Sequence, residues 1–175
     1  QVYSKLNKML YTNTNMKSET NNDNYATSPN MLNVHNETAR SYRNAGEFPK
    51  AIHLYTKIVS ANLQHYGDNH VITLRSISRL ANTYYASEDY ETALELFSLV
   101  CEKRIEKLGK NDPNTLRSMT SVANCYSKLK LFERSAELHR EVIDLRDNVL
   151  GSKHSRTLLS KKRLSEVLSA LKTTD

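Results

Sequence analysis

Three arginines, Arg40, Arg75 and Arg117, and two asparagines, Asn82 and Asn124, are the residues best suited to recognition chemistry in this sequence. A guanidinium offers a planar fork of N–H donors that grips a carboxylate through two parallel bonds, and it never loses its charge. A side-chain amide both donates and accepts, so two of them can hold an extended backbone by its main-chain groups.

Catalytic chemistry finds less to work with. The six histidines, His35, His53, His65, His70, His139 and His154, show no metal-ligand spacing, and a His65–His70 pair would need further ligands from other elements. Cys101 and Cys125, the only two cysteines, fall on apolar stripes where a free thiol behaves as a small apolar residue. They are too few for a disulfide framework, so a reducing, intracellular compartment is expected. No phosphate loop, nucleophile elbow or pair of catalytic carboxylates occurs. The expectation is a non-enzyme that needs no cofactor and no metal.

The elements that must carry the arginines and asparagines are helices. The chain has 175 residues, 38% of them apolar, with only 4 Gly and 3 Pro, too few for the turns of an all-β protein. Self-similarity is strong. Gly67 to Leu74 recurs as Gly109 to Leu116 and as Gly151 to Leu158, each step 42 residues, and Thr-Leu-Arg-Ser is identical at 73–76 and 115–118. Ser28 to Leu32 keeps the same register one step earlier. Five columns align inside the units: Ala39, Ala81 and Ala123; Tyr42, Tyr84 and Tyr126; Phe48, Tyr90 and Phe132; Ala51, Ala93 and Ser135; Leu54, Leu96 and Leu138.

Each unit holds two helical periods. Ile77, Leu80, Ala81 and Tyr84 form the buried stripe of one helix, and Tyr90, Ala93, Leu94, Phe97, Val100, Cys101, Ile105 and Leu108 that of the next. The small alanines let paired helices approach closely. Ser28-Pro29 and Asp112-Pro113 read as an N-cap followed by the helical position that tolerates proline, and His70 and His154 share that column. Gly67, Gly109 and Gly151 sit where the second helix must end, which suits a residue able to take positive φ.

These columns resemble the tetratricopeptide repeat, and the 42-residue period with the ending Ile143 to Gly151 looks most like its kinesin-light-chain-like subtype, from about Ser28 to Leu171. The pattern departs where the family often has Gly, as at Gly46, since Glu88 and Lys130 stand there, and Trp is absent. The resemblance implies an all-α, right-handed α-solenoid of helix-turn-helix repeats at about 29–66, 71–108 and 113–150, closed by a C-terminal capping helix at 155–171. Residues 1–27 are expected to be a short N-terminal helix, Val2 to Tyr11, and an Asn-rich linker. The Gln at position 1 leaves room for further repeats before it.

In that family the first helix of each pair lines the concave face. The positions expected on the groove are Asn33, Asn36, Arg40 and Arg43; Arg75, Ser78, Asn82 and Tyr85; Arg117, Thr120, Asn124 and Lys128; and Lys162 with Glu166. Six basic residues face one acidic one, so the groove is expected to take an acidic, extended peptide. The competing view makes these ordinary solvated helix faces, with Asn82 and Asn124 bonding to neighbouring repeats.

A formal net charge of +6 and a pI near 9.3 call for an acidic partner, whether peptide, nucleic acid or a tubulin-like surface. Nucleic acid is disfavoured because the ten tyrosines mostly occupy core columns, Tyr85 being the main exception, and Glu37, Glu88, Asp89 and Glu91 break any basic stripe. A structural subunit of a large cytoskeletal or ciliary assembly is the alternative to an adaptor, though the large apolar surface residues it would need are few. No run of 18 apolar residues and no signal-like order at Gln1 to Tyr11 is present. A cytoplasmic protein without membrane insertion is therefore expected, in a setting that can include the cytoskeleton.

Overall fold

The computed structural model describes residues 29–173; the N-terminal helix and linker expected over 1–27, and the Ser28 cap, lie outside the described residues. Among the described residues there are seven α-helices and no strand: α1 (Pro29–Asn44), α2 (Phe48–Tyr66), α3 (Val71–Ala86), α4 (Tyr90–Leu108), α5 (Pro113–Lys128), α6 (Phe132–Leu150) and α7 (Ser155–Leu171). They form two compact units that divide within α4, between Leu96 and Phe97.

Two kinds of joint alternate along the chain, and local chemistry accounts for both. The tight joints turn on Gly46, Glu88 and Lys130, all left-handed, with φ of 77°, 67° and 60°. Each closes the preceding helix with the same pair of bonds, as where Gly46 N donates to Arg43 O and Glu47 N to Tyr42 O. The longer joints follow Gly67, Gly109 and Gly151, whose N–H groups each donate 3.0 Å to the carbonyl four residues back. Gly67 at φ 81°, ψ 174° occupies a region open only to glycine.

The next helix then starts on a side-chain cap. Asp112 accepts from Asn114 N and Thr115 N, while His70 and His154 accept through Nδ1 from Ile72 N and Arg156 N. The 70, 112 and 154 column is thus a set of helix N-caps.

In the first unit α2 packs against both α1 and α3. Ala39, Ala51, Ala81 and Ala93 are completely buried, as the close approach of paired helices requires, and Tyr55, Ile58, Val59, Ile77 and Leu80 fill the space between. The Thr73 hydroxyl, also buried, donates to Asn62 O across 3.1 Å.

In the second unit α6 packs against α5 and α7, and Leu116, Met119 and Val142 form its centre with Cys101, Leu138 and Leu145 around them. Ser135 replaces alanine in the small column, and its buried hydroxyl is satisfied by donating to Ala123 O at 2.8 Å. Some apolar positions lie outside the core. Leu108, expected on the α4 stripe, is 44% exposed at the last turn, and Leu158 is 52% exposed although its counterparts Leu74 and Leu116 are buried.

Candidate functional site

The candidate residues of the first unit lie on α1 and α3. Arg75 is exposed and, among the described residues, its guanidinium has no ion pair or hydrogen bond. Asn33 is exposed as well. Arg40 is engaged by Glu37 of its own helix, at 2.6 Å and well exposed, which contributes little to stability. Arg43 is half-buried.

Ser78 and Asn82 are bonded back along α3, the hydroxyl to Leu74 O at 2.8 Å and the amide to Ser78 O at 2.6 Å. Asn82 is exposed, and this bond goes to its own helix rather than to a neighbouring repeat. The half-buried Tyr85 sets its ring edge-on to Tyr90, 5.2 Å between centroids.

Asn36 is more than a groove residue. Its Nδ2 donates to Leu32 O at 2.7 Å, and its Oδ1 accepts from Nη1 of Arg79 at 2.5 Å, tying α1 to α3. Sequence reasoning misses Arg79 because its column changes from Glu37 to Arg79, Ser121 and Arg163, so arginine is not carried from one unit to the next. The available signal is its place one helical turn after Arg75. Together these residues wall a cavity of about 260 Å³ between α1, the end of α2 and α3, with Asn33, Tyr66 and Ile72 on its other sides.

In the second unit Arg117 is exposed without a pairing among the described residues, Asn124 is half-buried, and Lys128 is exposed. Lys162 is exposed and lies 3.9 Å from Glu166. Thr120 departs from the expected groove position. It is 5% exposed, its hydroxyl donating to Leu116 O at 2.7 Å and accepting from Nη2 of Arg146 at 3.0 Å. The reason is the long Arg146 side chain of α6, which reaches over this turn of α5 and covers it.

Arg146 is 7% exposed and donates also to Arg156 O and to the hydroxyl of Ser160. Burial, and then Arg156 and Arg163, lower its pKa. His139, also on α6, is buried with Nδ1 unpartnered among the described residues. Burial first, then Arg163 and Arg146, hold its pKa down at about 4, so the ring is neutral at physiological pH.

Burial raises the Cys101 and Cys125 thiols to about 11 and 12, far from a thiolate nucleophile. The Tyr66 ring stacks on His70 at 4.7 Å and meets His65 edge-on at 4.4 Å, while Nδ1 of His70 is taken by its cap. Among the described residues no three His, Cys, Asp or Glu side chains converge on a metal position. His35 and His53 flank a larger, mainly apolar opening of about 600 Å³ between α1 and α2. No described helix is long and apolar enough to cross a membrane.

Two models of the tetratricopeptide repeat match the chain, over residues 30–106 and 115–156. Two crystal structures of kinesin-light-chain-like, nearly identical TPR-like repeats from Podosopora anserina, one of them a point variant of the other, superpose with a TM-score of 0.73 at 26% identity. The matches cover 79% and 82% of this chain and 66% and 68% of those chains, so the sequence spans about two thirds of their length. BtubC (BKLC) from P. vanneervenii superposes with a TM-score of 0.68 at 12% identity, over 97% of this chain and 66% of that one, a likeness of fold alone. No curated protein matches the chain in sequence. The fold class is an all-α helical-repeat solenoid.

Proposed function

We propose that this chain, which belongs to the tetratricopeptide-repeat family in its kinesin-light-chain-like form, is an adaptor that holds an acidic, extended segment of a partner protein. Repeats of this family mediate protein–protein interaction. The finer reading rests on one observation. Arg75 and Arg117 occupy the same position of the identical Thr-Leu-Arg-Ser tetrad on α3 and α5, and both are exposed without an acidic partner among the described residues. A charged fork kept unpaired at a recurring position suits a carboxylate supplied from outside.

Around these arginines, Asn33 and Asn82 in the first unit, and Asn124, Lys128 and Lys162 in the second, supply further polar contacts, with Arg40, Arg43, Ser78 and Tyr85 at the margins of their helices. Thr120 is excluded by its burial. The chain acts without catalysis and without a cofactor, in the cytoplasm, with a cytoskeletal setting compatible with its basic charge.

The test is a pull-down from nuclease-treated cell extract with the wild-type chain and the Arg75→Glu/Arg117→Glu variant, bound proteins being identified by mass spectrometry. Acidic proteins lost only from the variant, with its helical circular dichroism intact, are the expected result. Proteins that stay bound to both would mean another face is used, as in a structural subunit of a large assembly. Loss of all bound material on nuclease treatment would favour nucleic acid instead.

A further inference from the structure

We infer that the cavity between α1 and α3 of the first unit receives a phosphoryl group carried by the partner segment, with Arg75 and Arg79 as its clamp. The inference rests on the adaptor reading and sharpens it from an acidic segment to a phosphorylated one.

Charge is the first argument. Arg75 and Arg79 stand one turn apart on α3 and both line the cavity, yet among the described residues no Asp or Glu lines it. Glu37, the acid on α1, is held by Arg40. Two permanently charged guanidiniums thus share one recess with no carboxylate among the described residues lining it. A carboxylate brings a single negative charge, whereas a phosphate monoester brings about −1.5 to −2 and three strong acceptor oxygens, enough for both forks.

Organisation of the donors is the second argument. Asn36 accepts from one end of the Arg79 guanidinium and is itself anchored to Leu32 O, so the fork of this half-buried arginine is oriented before a ligand arrives. Pre-set donors lose less freedom on binding, which favours a compact, multiply accepting group. Arg75 is exposed and can swing to close over the same group.

Size and lining complete the case. A volume of about 260 Å³ suits one side chain and its water rather than a larger ligand. Tyr66 and Ile72 give the aliphatic part of such a side chain an apolar wall, while Asn33 adds an amide at the rim.

The experiment uses the whole chain and three pools of acidic twelve-residue peptides, degenerate except at a central serine, phosphoserine or glutamate, with affinity read by fluorescence anisotropy. The phosphoserine pool should bind at least tenfold more tightly than the glutamate pool, and Arg79→Gln and Arg75→Gln should each reduce that ratio severalfold. Arg79→Lys should recover only part of it, because an ammonium lacks the fork. Equal binding of the three pools overturns the phosphoryl inference and leaves the adaptor reading standing. Binding of none overturns both. A phosphate preference that survives both glutamine variants, with helicity unchanged, places the phosphoryl group elsewhere and also overturns it.

Discussion

Nη1 of Arg104, near the end of α4, donates to the hydroxyl of Ser118 on α5 across 2.7 Å. Forty-two residues later Arg146 makes the same bond to Ser160, and each arginine also reaches a carbonyl in the first turn of the following helix, Asn114 O and Arg156 O. A second helix is thereby stapled to the next first helix by a charge with neutral partners. In the first unit Asn62 occupies that column, and its carbonyl takes the Thr73 hydroxyl instead. The staple is the repeat's polar counterpart to its apolar core.

Ser160→Ala should cost about 1–2 kcal/mol, because it removes an acceptor from a buried guanidinium while leaving the charge in place. Arg146→Met in the same chain should restore much of that loss, since the charge and its unmet donors leave together. Urea unfolding of the two single variants and the double variant measures the coupling; strict additivity would show that the pair does not interact.

Glu88 and Lys130 hold a left-handed backbone that Gly46 adopts freely. Glu88→Gly and Lys130→Gly should each stabilise the chain by about 0.5–1 kcal/mol, the relief of Cβ crowding exceeding the added freedom of the unfolded chain. Gly46→Ala should lose about 1 kcal/mol. Thermal unfolding orders the three variants.

His70 and His154 cap their helices through a single ring nitrogen, at 3.3 Å and 3.2 Å, whereas Asp112 satisfies two N–H groups. Replacing each histidine by Asp should add about 0.5–1 kcal/mol, from the second bond and from a negative charge at a helix N-terminus. Part of the gain should fade in high salt, which denaturant titrations at two ionic strengths would detect.

Stability should fall on acidification through His139. Its folded pKa, about 4, lies below the ordinary 6.5, so between these values the unfolded chain binds the extra proton. The contribution of the neutral ring is complete above pH 6.5 and is lost as the pH drops towards 4, by roughly 3 kcal/mol at most. His139→Phe, which restores the aromatic of Tyr55 and Phe97 in that column, should flatten this part of the pH profile. An unchanged slope in the variant would assign the acid sensitivity to other groups.

Residues that repeat are legible from the chain itself. The alanine columns, the Asp112 cap and the glycine joints each depend on contacts within a few residues or on a spacing that recurs every 42, so the sequence carries their signal directly. Glu88 and Lys130 are legible in the same way, by standing in the Gly46 column.

The site is only partly legible. Thr120 shares its column with Ser78 and Lys162, and nothing local distinguishes it; its burial comes from Arg146, 26 residues away, folding back over it. Arg79 meets Asn36 across 43 residues, in a column whose adjacent units hold Glu37 and Ser121. Periodicity determined the helices, their joints and their buried faces, because those follow from short-range geometry repeated in register. The repeat also pairs Arg104 with Arg146 and Arg75 with Arg117. That the first column is consumed as staples while the second stays exposed was decided by tertiary packing, because a spacing shows which residues are equivalent and not which partner a long side chain meets in space.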